Sequence, residues 1–433
     1  MRLYASYSPM GDGGRQVKRF ATGVAVLVAV GLVFCTGFAF RDLASRRGVS
    51  QEAFARLFGL TPKQKETPTV LFTRQYNSIL AKSLVPIDAE VLKHRAMEGM
   101  FASLGDPHTN FLEPVAAEDL KLETRGDFVG IGARLSPDPI GARVATVFKG
   151  APAEKAGLKP GDMVVSVDGV DAAGEDVNEV VAKIRGKAGT KVNIRVVRPN
   201  VAKPLDISIV RDIVVIPTAE GRMLEPDHFG YLAVSQFAET TPIQFSDALD
   251  DLIQQRPKGL VIDLRGNPGG LLPAVSDMLG AFLDSKEVIS MKLRDGSKQT
   301  ATTPRGKTKS MPFPVVVLVN EESASASEIF AGVLQDYQHA TIMGEHTYGK
   351  ASVQTVFTLV DGPSAKITLA RYYLPSGRNI ERKVDEDGQY ISGGLAPDIV
   401  VPLQIEDDTL LGEPGRDSQL DLALEHLRQT NGR

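Results

Sequence analysis

The sequence contains very little cysteine and histidine. A single cysteine, Cys35, stands among 433 residues, so no intramolecular disulfide can form and no thiol cluster can bind zinc or carry redox chemistry. There are six histidines, and two of those in the C-terminal half, His339 and His346, have no evident serine and aspartate companions. A Ser-His-Asp triad is therefore the weaker hypothesis for hydrolytic chemistry, and the sequence indicates no metal or cofactor.

Neither sign of charge is in large excess. The formal net charge is −4, so the overall charge does not predict a nucleic acid as a partner. An apolar content of 42% with 24% charged residues is typical of globular proteins, and the length allows two or three domains.

One long uncharged apolar run, 20–40, follows a basic N-terminal stretch. Its length suits a helix that crosses the hydrocarbon core of a bilayer, with 1–19 left in the cytoplasm and 41–67 as a linker. The run is either an anchor or a signal segment cleaved near Gly37 and Ala39. Either outcome predicts that the following domains are exported.

The spacing of apolar residues divides the rest of the chain into several regions. Helical spacing of apolar residues, broken at "VPID", predicts a small N-terminal helical region over 68–116. Short β-like runs with a helical "EDVNEVVAKIR" predict a β-rich module over 117–200. Buried-strand runs alternate with helical patterns at 241–256 and 324–338, which predicts an α/β core over 205–405. The final 406–433 is a polar tail with one amphipathic helical segment.

Two segments of the α/β core have the composition of ligand-binding turns. In "VIDLRGNPGGLL" the glycines either let backbone N–H groups approach a ligand or form a plain tight turn. In "NEESASASEIFAGVLQD" three serines, Ser323, Ser325 and Ser327, precede a helical run. Ser325 and Glu328 fit a capping box, yet a serine at a helix N-terminus is also placed for nucleophilic attack. Sequence spacing alone does not choose among the three serines.

A third segment, "GEHTYGKAS", matches the phosphate-cradling pattern G-x-x-x-x-G-K-[ST] except that Ala351 replaces the magnesium-binding hydroxyl. Lys350 is then either a phosphate ligand of a nucleotide hydrolase or a general base, which a buried lysine of lowered pKa can be. Gln354 lies four residues later, about 13 Å along an extended strand at ~3.3 Å per residue. Contact between the two side chains would need a bend in the strand or two long side chains that reach toward each other. His108, in "SLGDPHTNFL", is predicted to be structural rather than a metal ligand because no ligand cluster accompanies it.

The segments just described occur in the order found in the carboxy-terminal processing (tail-specific) proteases, the S41 family of serine peptidases, which the chain resembles over about 75–403. The matching motifs are "SLGDPHTNFL", "GDFVGIGARL", "GAPAEKAGLKPGDMVVSVDG", "DLRGNPGGLL", "VNEESASASEIFAGVLQD", "GEHTYGKASVQ", "ARYYLPSGRNI" and "GLAPDI". The resemblance implies a multidomain α/β fold: a ClpP/crotonase-like serine-protease core with an inserted PDZ domain at 117–200.

The same resemblance assigns catalytic roles. It implies that Ser325 is the nucleophile, Lys350 the general base and Gln354 its supporting residue. The expected oxyanion hole consists of backbone N–H groups from Gly269 or Gly270 and from Ala326. The phosphate-loop likeness is then a coincidence, and Ala351 is a departure from the glycine that the family often has there.

The resemblance also implies how substrates are chosen. The loop formed by Phe128, Val129, Gly130, Ile131 and Gly132 would capture a substrate's C-terminal carboxylate, while the peptide adds as a β-strand. Arg185, at the end of the PDZ helix, is either a solvated charge or a coupling residue between the two domains.

The expected protein is a serine endopeptidase of the bacterial cell envelope, anchored in the inner membrane through 20–40 with periplasmic domains, or secreted. Its expected partners are proteins with unstructured nonpolar C-termini, an adaptor protein and further copies of the chain as a homo-oligomer. The alternative is a PDZ scaffold or an adaptor-dependent protease whose core is inactive at rest.

Overall fold

The computed structural model describes residues 67–138, 141–360, 362–385, 387–404 and 410–431. In these ranges no helix is both long enough and apolar enough to cross a membrane. The predicted apolar segment at 20–40 and the linker at 41–67 lie almost entirely outside the described residues.

Nine helices are assigned in the described ranges, and their bounds are α1 Pro68–Lys82, α2 Ala89–Ala102, α3 Pro114–Arg125, α4 Pro152–Lys155, α5 Val177–Ile184, α6 Thr241–Gln254, α7 Leu272–Leu279, α8 Ala326–Asp336 and α9 Ser418–Asn431.

The strands are β1 Asn110–Leu112, β2 Asp127–Gly130, β3 Ala133–Asp138, β4 Gly141–Val147, β5 Met163–Val167, β6 Val170–Asp171, β7 Lys191–Val197, β8 Leu205–Val210, β9 Asp212–Val215, β10 Ala219–Leu224, β11 Phe229–Val234, β12 Leu260–Asp263, β13 Glu287–Leu293, β14 Lys298–Thr302, β15 Val315–Val319, β16 Thr341–Gly344, β17 Ser352–Thr358, β18 Ser364–Tyr373, β19 Lys383–Val384, β20 Tyr390–Ser392 and β21 Ile399–Val400.

The chain divides into two compact units between Leu92 and Lys93. The described part of the first unit holds α1 and the beginning of α2. Thr67 caps α1 through its side chain, and Asp88 accepts the N–H of Glu90 at 2.8 Å at the start of α2. The predicted break at "VPID" is therefore confirmed as the connection between two helices.

The predicted PDZ module forms its own sheet in the order β3-β4-β5-β7-β8, with β6 paired to β5. Alternate residues of β7 are buried, which is the pattern of a sheet with one covered face. The sheet extends past the predicted limit at 200, because β8 pairs along the length of β7. The buried guanidinium of Arg211 closes the module by donating to the carbonyl oxygens of Ile184 at 2.7 Å and Lys191 at 2.9 Å.

A six-stranded sheet, in the order β10-β11-β12-β15-β16-β21, forms the α/β core. Every strand after the antiparallel β10 and β11 pair is parallel to its neighbour. All five residues of β15 are buried because the sheet is covered on both faces. Val317 packs in the cluster with α6, α7 and α8, whereas Val316 and Leu318 pack against α9 on the other face.

The second sheet of the core is largely antiparallel and has the order β1-β18-β13-β14, with β17 also paired to β18. Its strand β1 comes from the region predicted as helical over 68–116. That region therefore contributes a strand to the core, since Asn110 lies opposite Lys366 and Leu112 opposite Ser364.

The C-terminal tail, predicted to start at 406, is an integral part of the core. Leu420, Leu424 and Leu427 of α9 are buried against the six-stranded sheet. At the start of this helix, Asp417 forms a buried ion pair with Arg265 at 2.6 Å, and Arg265 also pairs with Asp263 at 2.6 Å. The helical segment of the tail was predicted, but this anchor was not, because the two partners lie far apart in sequence.

We expect Asp417→Ala to lower the free energy of unfolding by about 3–5 kcal/mol, because it leaves the Arg265 guanidinium buried with one partner fewer. Urea unfolding of the full chain, followed by circular dichroism, measures the change. Glu425→Gln on the exposed face of the same helix is the control and should change stability by less than about 0.5 kcal/mol. Equal stabilities of wild type and Asp417→Ala would contradict the anchor.

Candidate active site

A cleft of about 840 Å³ brings together most of the predicted catalytic residues. Its lining includes Ser325, Lys350, Gln354, Gly269 and Ala326, and helix α3 forms another part of its wall. The residues come from separate loops of the chain and meet in the second compact unit. In the described part of the chain no group of His, Cys, Asp and Glu could hold a metal ion.

The structure distinguishes the three serines. Ser323 is buried and its Oγ donates to the carbonyl oxygen of Leu264 at 2.8 Å. Ser327 is buried and its Oγ donates to the carbonyl oxygen of Asn267 at 2.8 Å. Ser325 alone of the three lines the cleft, and its φ of 54° is an uncommon conformation for a residue with a Cβ. Its geometry is that of a sharp turn that presents one side chain at a helix N-terminus.

The glycine-rich turn is fixed against the serine turn by Asn267. The fully buried Asn267 side chain donates to Val234 O at 2.8 Å and accepts the N–H of Gly269 at 2.9 Å. Its backbone oxygen accepts the N–H of Ala324 at 3.1 Å. The side-chain amide thus anchors the glycine-rich turn to β11, and the peptide oxygen joins that turn to the serine turn.

Glycine is required where these turns meet. A Cβ on Gly269 would lie 2.8 Å from Ser325 Cβ and 2.9 Å from Ala326 N, and the residue has a φ of 101°. A Cβ on Gly270 would lie 2.3 Å from Phe237 O. Both contacts are too close for any other residue, so "PGG" is a close-approach motif as well as a turn.

The hydrogen bonds of Gly269 and Gly270 distinguish the two candidates for an oxyanion donor. The N–H of Gly269 is already bonded to Asn267 Oδ1. The N–H groups of Gly270 and Ala326 have no acceptor among the described residues, and both residues line the cleft. Of the two glycine alternatives, the geometry therefore favours Gly270 as the donor that accompanies Ala326.

Glu328 links the serine turn to the lysine loop. Its carboxylate is fully buried and accepts the backbone N–H of Ser325 at 2.8 Å, of Gly349 at 2.6 Å and of Lys350 at 2.9 Å. The Thr347 hydroxyl donates to it as well. Burial raises the pKa of Glu328, while these hydrogen bonds oppose the shift. The capping box predicted for Ser325 and Glu328 is confirmed, and the same carboxylate also holds the loop of Lys350.

Lys350 lies in the loop that connects β16 to β17. A strand and not a helix follows it, so the segment lacks the helix N-terminus that a phosphate-binding loop requires. The pKa of Lys350 is lowered by burial and by the neighbouring Lys366 charge, against the opposing effect of Glu328 and Asp106. A lowered pKa favours the neutral amine, as general-base catalysis requires.

Gln354 lies on β17 opposite Thr368 of β18. The strand pairing slips between Val353, which faces Ala370, and Gln354, so Leu369 is an extra residue in β18. The extra residue lies in β18 and not in β17, and among the described residues no hydrogen bond joins the side chains of Gln354 and Lys350. The Gln354 amide nitrogen donates to Ser352 Oγ at 2.8 Å and to Thr368 Oγ1 at 3.2 Å.

The predicted carboxylate-binding loop is only partly a loop. Phe128, Val129 and Gly130 belong to β2, which pairs with β9 as a two-stranded ribbon at the entry and exit of the PDZ module. Ile131 and Gly132 form the short connection to β3, the edge strand of the PDZ sheet. The alternation in "DFVGIG" is consistent with a strand, but its partner lies far along the chain.

Arg185 ends helix α5 of the PDZ module. Its guanidinium lies 3.9 Å from Asp119 of α3, and both side chains are more than half exposed, at 57% and 52%. An exposed pair at this distance contributes little to stability. The contact nevertheless joins the PDZ helix to a helix that lines the cleft.

The sequence reasoning did not assign roles to Asn267, to Thr347, or to Glu328 beyond its capping function. The sequence contained one indication of the role of Asn267, since an Asn inside a glycine turn often bonds the backbone two residues further on. The sequence contained no indication of the role of Thr347, because its partner Glu328 lies in another segment of the chain, helix α8.

Gly269→Ala should destabilise the chain more than an alanine at a glycine of similar φ in open space. Gly296, in the turn between β13 and β14, has a φ of 83° and no atom near its would-be Cβ. We expect about 1–2 kcal/mol for Gly296→Ala from backbone strain, and roughly 1–3 kcal/mol more for Gly269→Ala from the clash with Ser325. Urea unfolding of both variants measures the difference, and equal losses would show that the turns are not in close contact.

Comparison with known proteins agrees with the architecture. The model of peptidase family S41 matches 228–401, and that of the PDZ domain matches 143–198. The carboxy-terminal-processing protease of Bartonella bacilliformis is 37% identical over 338 residues, which are 76% of this chain and 75% of that protein. The carboxy-terminal processing protease CtpA of Bacillus subtilis is 35% identical over 311 residues, 72% of this chain and 66% of that protein. The structure of the photosystem II D1 C-terminal processing protease is 28% identical, with a TM-score of 0.43 over 78% of this chain and 94% of that one.

Proposed function

The chain belongs to peptidase family S41, among the carboxy-terminal processing serine proteases that carry a PDZ domain, and on this premise we propose that it hydrolyses peptide bonds with a Ser325–Lys350 dyad. The observation that carries the proposal is the single cleft that both residues line. There Glu328 bonds the backbone N–H groups of both residues, which fixes the two loops relative to each other.

The proposed reaction proceeds through an acyl-enzyme. Ser325 Oγ attacks the scissile carbonyl carbon while Lys350 Nζ takes the hydroxyl proton, and the peptide C–N bond then breaks as Lys350 returns that proton to the leaving amine. The N–H groups of Gly270 and Ala326 stabilise the oxyanion of the tetrahedral intermediate. Water, deprotonated by Lys350, hydrolyses the ester and regenerates Ser325.

We further propose that the PDZ domain binds the substrate's nonpolar C-terminus. Strand β3 is an edge of its sheet and lies beside α5, so an extended peptide can add to the sheet there. In this proposal the N–H groups of Ile131 and Gly132, just before β3, receive the terminal carboxylate. The β2–β9 ribbon and the Arg185–Asp119 contact would connect tail binding to the cleft.

Free backbone donors beside Ser325 favour an active protease over a silent PDZ scaffold. Three further proposals come from the sequence: an adaptor protein, a homo-oligomer and a position in the bacterial cell envelope. The apolar segment 20–40 is the basis of the proposed membrane attachment.

The decisive comparison uses wild type, Ser325→Ala and Lys350→Ala on an unstructured protein with a nonpolar C-terminus. We expect losses on the order of 10⁶-fold for Ser325→Ala and 10²–10⁴-fold for Lys350→Ala in kcat. Amidation of the substrate tail should slow the wild type, because it removes the carboxylate that the PDZ domain binds.

Cleavage is followed by mass spectrometry, with Ser323→Ala tested separately as the buried neighbour on the same turn. Undiminished cleavage by Ser325→Ala would refute the nucleophile. An inactive wild type that still binds the free tail would support the scaffold or an adaptor-dependent protease.

Lys366→Met should move the pH profile of kcat/KM. The pKa of Lys350 is lowered by burial and by the Lys366 charge, so removing that charge raises it. Because the neutral amine is the active form, the rising limb of the profile should shift to higher pH, with activity lost near neutral pH and recovered in alkali. Lys292→Met, an exposed lysine of β13, should leave the limb in place. An unshifted limb in Lys366→Met would argue against Lys350 as the titrating base.

A further inference from the structure

The segment "ARYYLPSGRNI", 370–380, has no part in the proposed reaction. It contains the end of β18 and the turn that follows. Within the turn, the N–H of Leu374 donates to the carbonyl oxygen of Arg378 at 3.0 Å. The Asn379 side chain closes the turn, because it donates to the carbonyl oxygen of Tyr372 at 2.9 Å and accepts the N–H of Glu381 at 2.9 Å. The residues before and after the turn are thus tied to one amide.

The two sides of this turn bond the loop of Lys350. Before the turn, Tyr372 donates its hydroxyl to the carbonyl oxygen of Lys350 at 2.6 Å and its N–H to that of Ala351 at 3.0 Å. After the turn, the N–H of Arg382 donates to the carbonyl oxygen of Gly349 at 2.8 Å. Three consecutive carbonyl oxygens of the loop therefore accept hydrogen bonds from this one segment of the chain.

The Tyr372 hydroxyl is a buried donor. The residue belongs to the wall of the cleft, yet it is only 1% exposed. Burial and the charge of Glu328 raise the pKa of the phenol well above its usual range, so the hydroxyl keeps its proton. A protonated phenol can donate to the carbonyl oxygen of Lys350, and a hydrogen bond that is screened from water is costly to break.

These hydrogen bonds fix the main chain on both sides of the Lys350 Cα. The peptide group before it is held through the Lys350 N–H, which bonds Glu328, and through the Gly349 oxygen, which bonds Arg382. The peptide group after it is held through the Lys350 oxygen, which bonds Tyr372. Because each peptide group is planar, fixing both of them fixes the direction of the Cα–Cβ bond between them.

We propose that Tyr372 is a positioning residue whose hydroxyl, bonded to the Lys350 carbonyl oxygen, sets the direction in which the Lys350 side chain leaves the main chain. The inference rests on the proposed function, in which Lys350 takes the proton of Ser325. A displacement of a reacting group by about 1 Å costs on the order of 10²-fold in rate. Loss of this one bond therefore lowers kcat while the groups that contact the substrate stay the same.

The test is Tyr372→Phe, which removes the hydroxyl and keeps the ring in the cleft wall. We expect kcat to fall about tenfold, roughly the effect of one hydrogen bond, with KM unchanged within about twofold because the lost group bonds the main chain. Tyr373→Phe is the matched control: this next residue is half-buried, lies outside the cleft lining and should tolerate the change without loss of kcat. Wild-type kcat in Tyr372→Phe would overturn the proposal.

The pH profile of kcat/KM distinguishes a displaced base from an opened site. Burial lowers the pKa of Lys350, and the titratable groups around it are Lys366, Glu328, Asp106 and His108. Tyr372→Phe changes none of these groups, so the rising limb should stay in place while its plateau falls. Entry of water would weaken the effect of burial, raise the pKa of Lys350 and move the limb to higher pH. A limb displaced in this way would overturn the positioning role.

A double-mutant cycle separates this role from a structural one. In a Lys350→Ala background, Tyr372→Phe should cause no further loss of kcat, because the hydroxyl acts only through the base. A second tenfold loss in that background would refute the coupling. Ser325→Ala is measured in parallel: if it abolishes cleavage while Tyr372→Phe retains wild-type kcat, the inference fails and the proposed function stands. If Ser325→Ala cleaves normally, the proposed function fails and the inference with it.

Discussion

A single buried carboxylate joins the two loops that carry Ser325 and Lys350. Glu328 accepts backbone N–H groups from both loops, so the separation of the proposed nucleophile and base is set by main-chain hydrogen bonds and not by two flexible side chains. A carboxylate that receives several N–H groups is strongly held, because each bond is charge-assisted and screened from water. The remaining features of the cleft are arranged around these two fixed loops.

The glycine-rich turn is held by a second set of hydrogen bonds. Asn267 and Phe237 bond its backbone, and the Gly270 N–H has no acceptor among the described residues. Behind it, the strand that leads into the turn ends at Asp263 and Arg265, and Arg265 is buried against Asp417 at the start of the C-terminal helix. The buried ion pairs thus connect the strand before the glycine-rich turn to the last helix of the chain.

Much of the fold could be predicted because it depends on local patterns. The buried run in "FPVVVLVN" and the helical spacing at 241–256 predicted β15 and α6 correctly. Boundaries were less accurate where pairing is nonlocal. The strand β8 extends the PDZ sheet past 200, β1 joins the core from a region predicted as helical, and β2 pairs with β9 across the whole module. Nothing in the neighbouring residues signals these partners.

Residue type and spacing along the chain are sufficient for a family resemblance, so the family, the order of the motifs and the candidate residues Ser325, Lys350 and Gln354 could be predicted from the sequence. The folded structure was needed to show which serine lines the cleft and which glycine N–H has no acceptor among the described residues. These choices depend on hydrogen bonds between residues far apart in the chain, such as Ser327 with Asn267 and Glu328 with Lys350. Their geometry exists only after the sheets have paired.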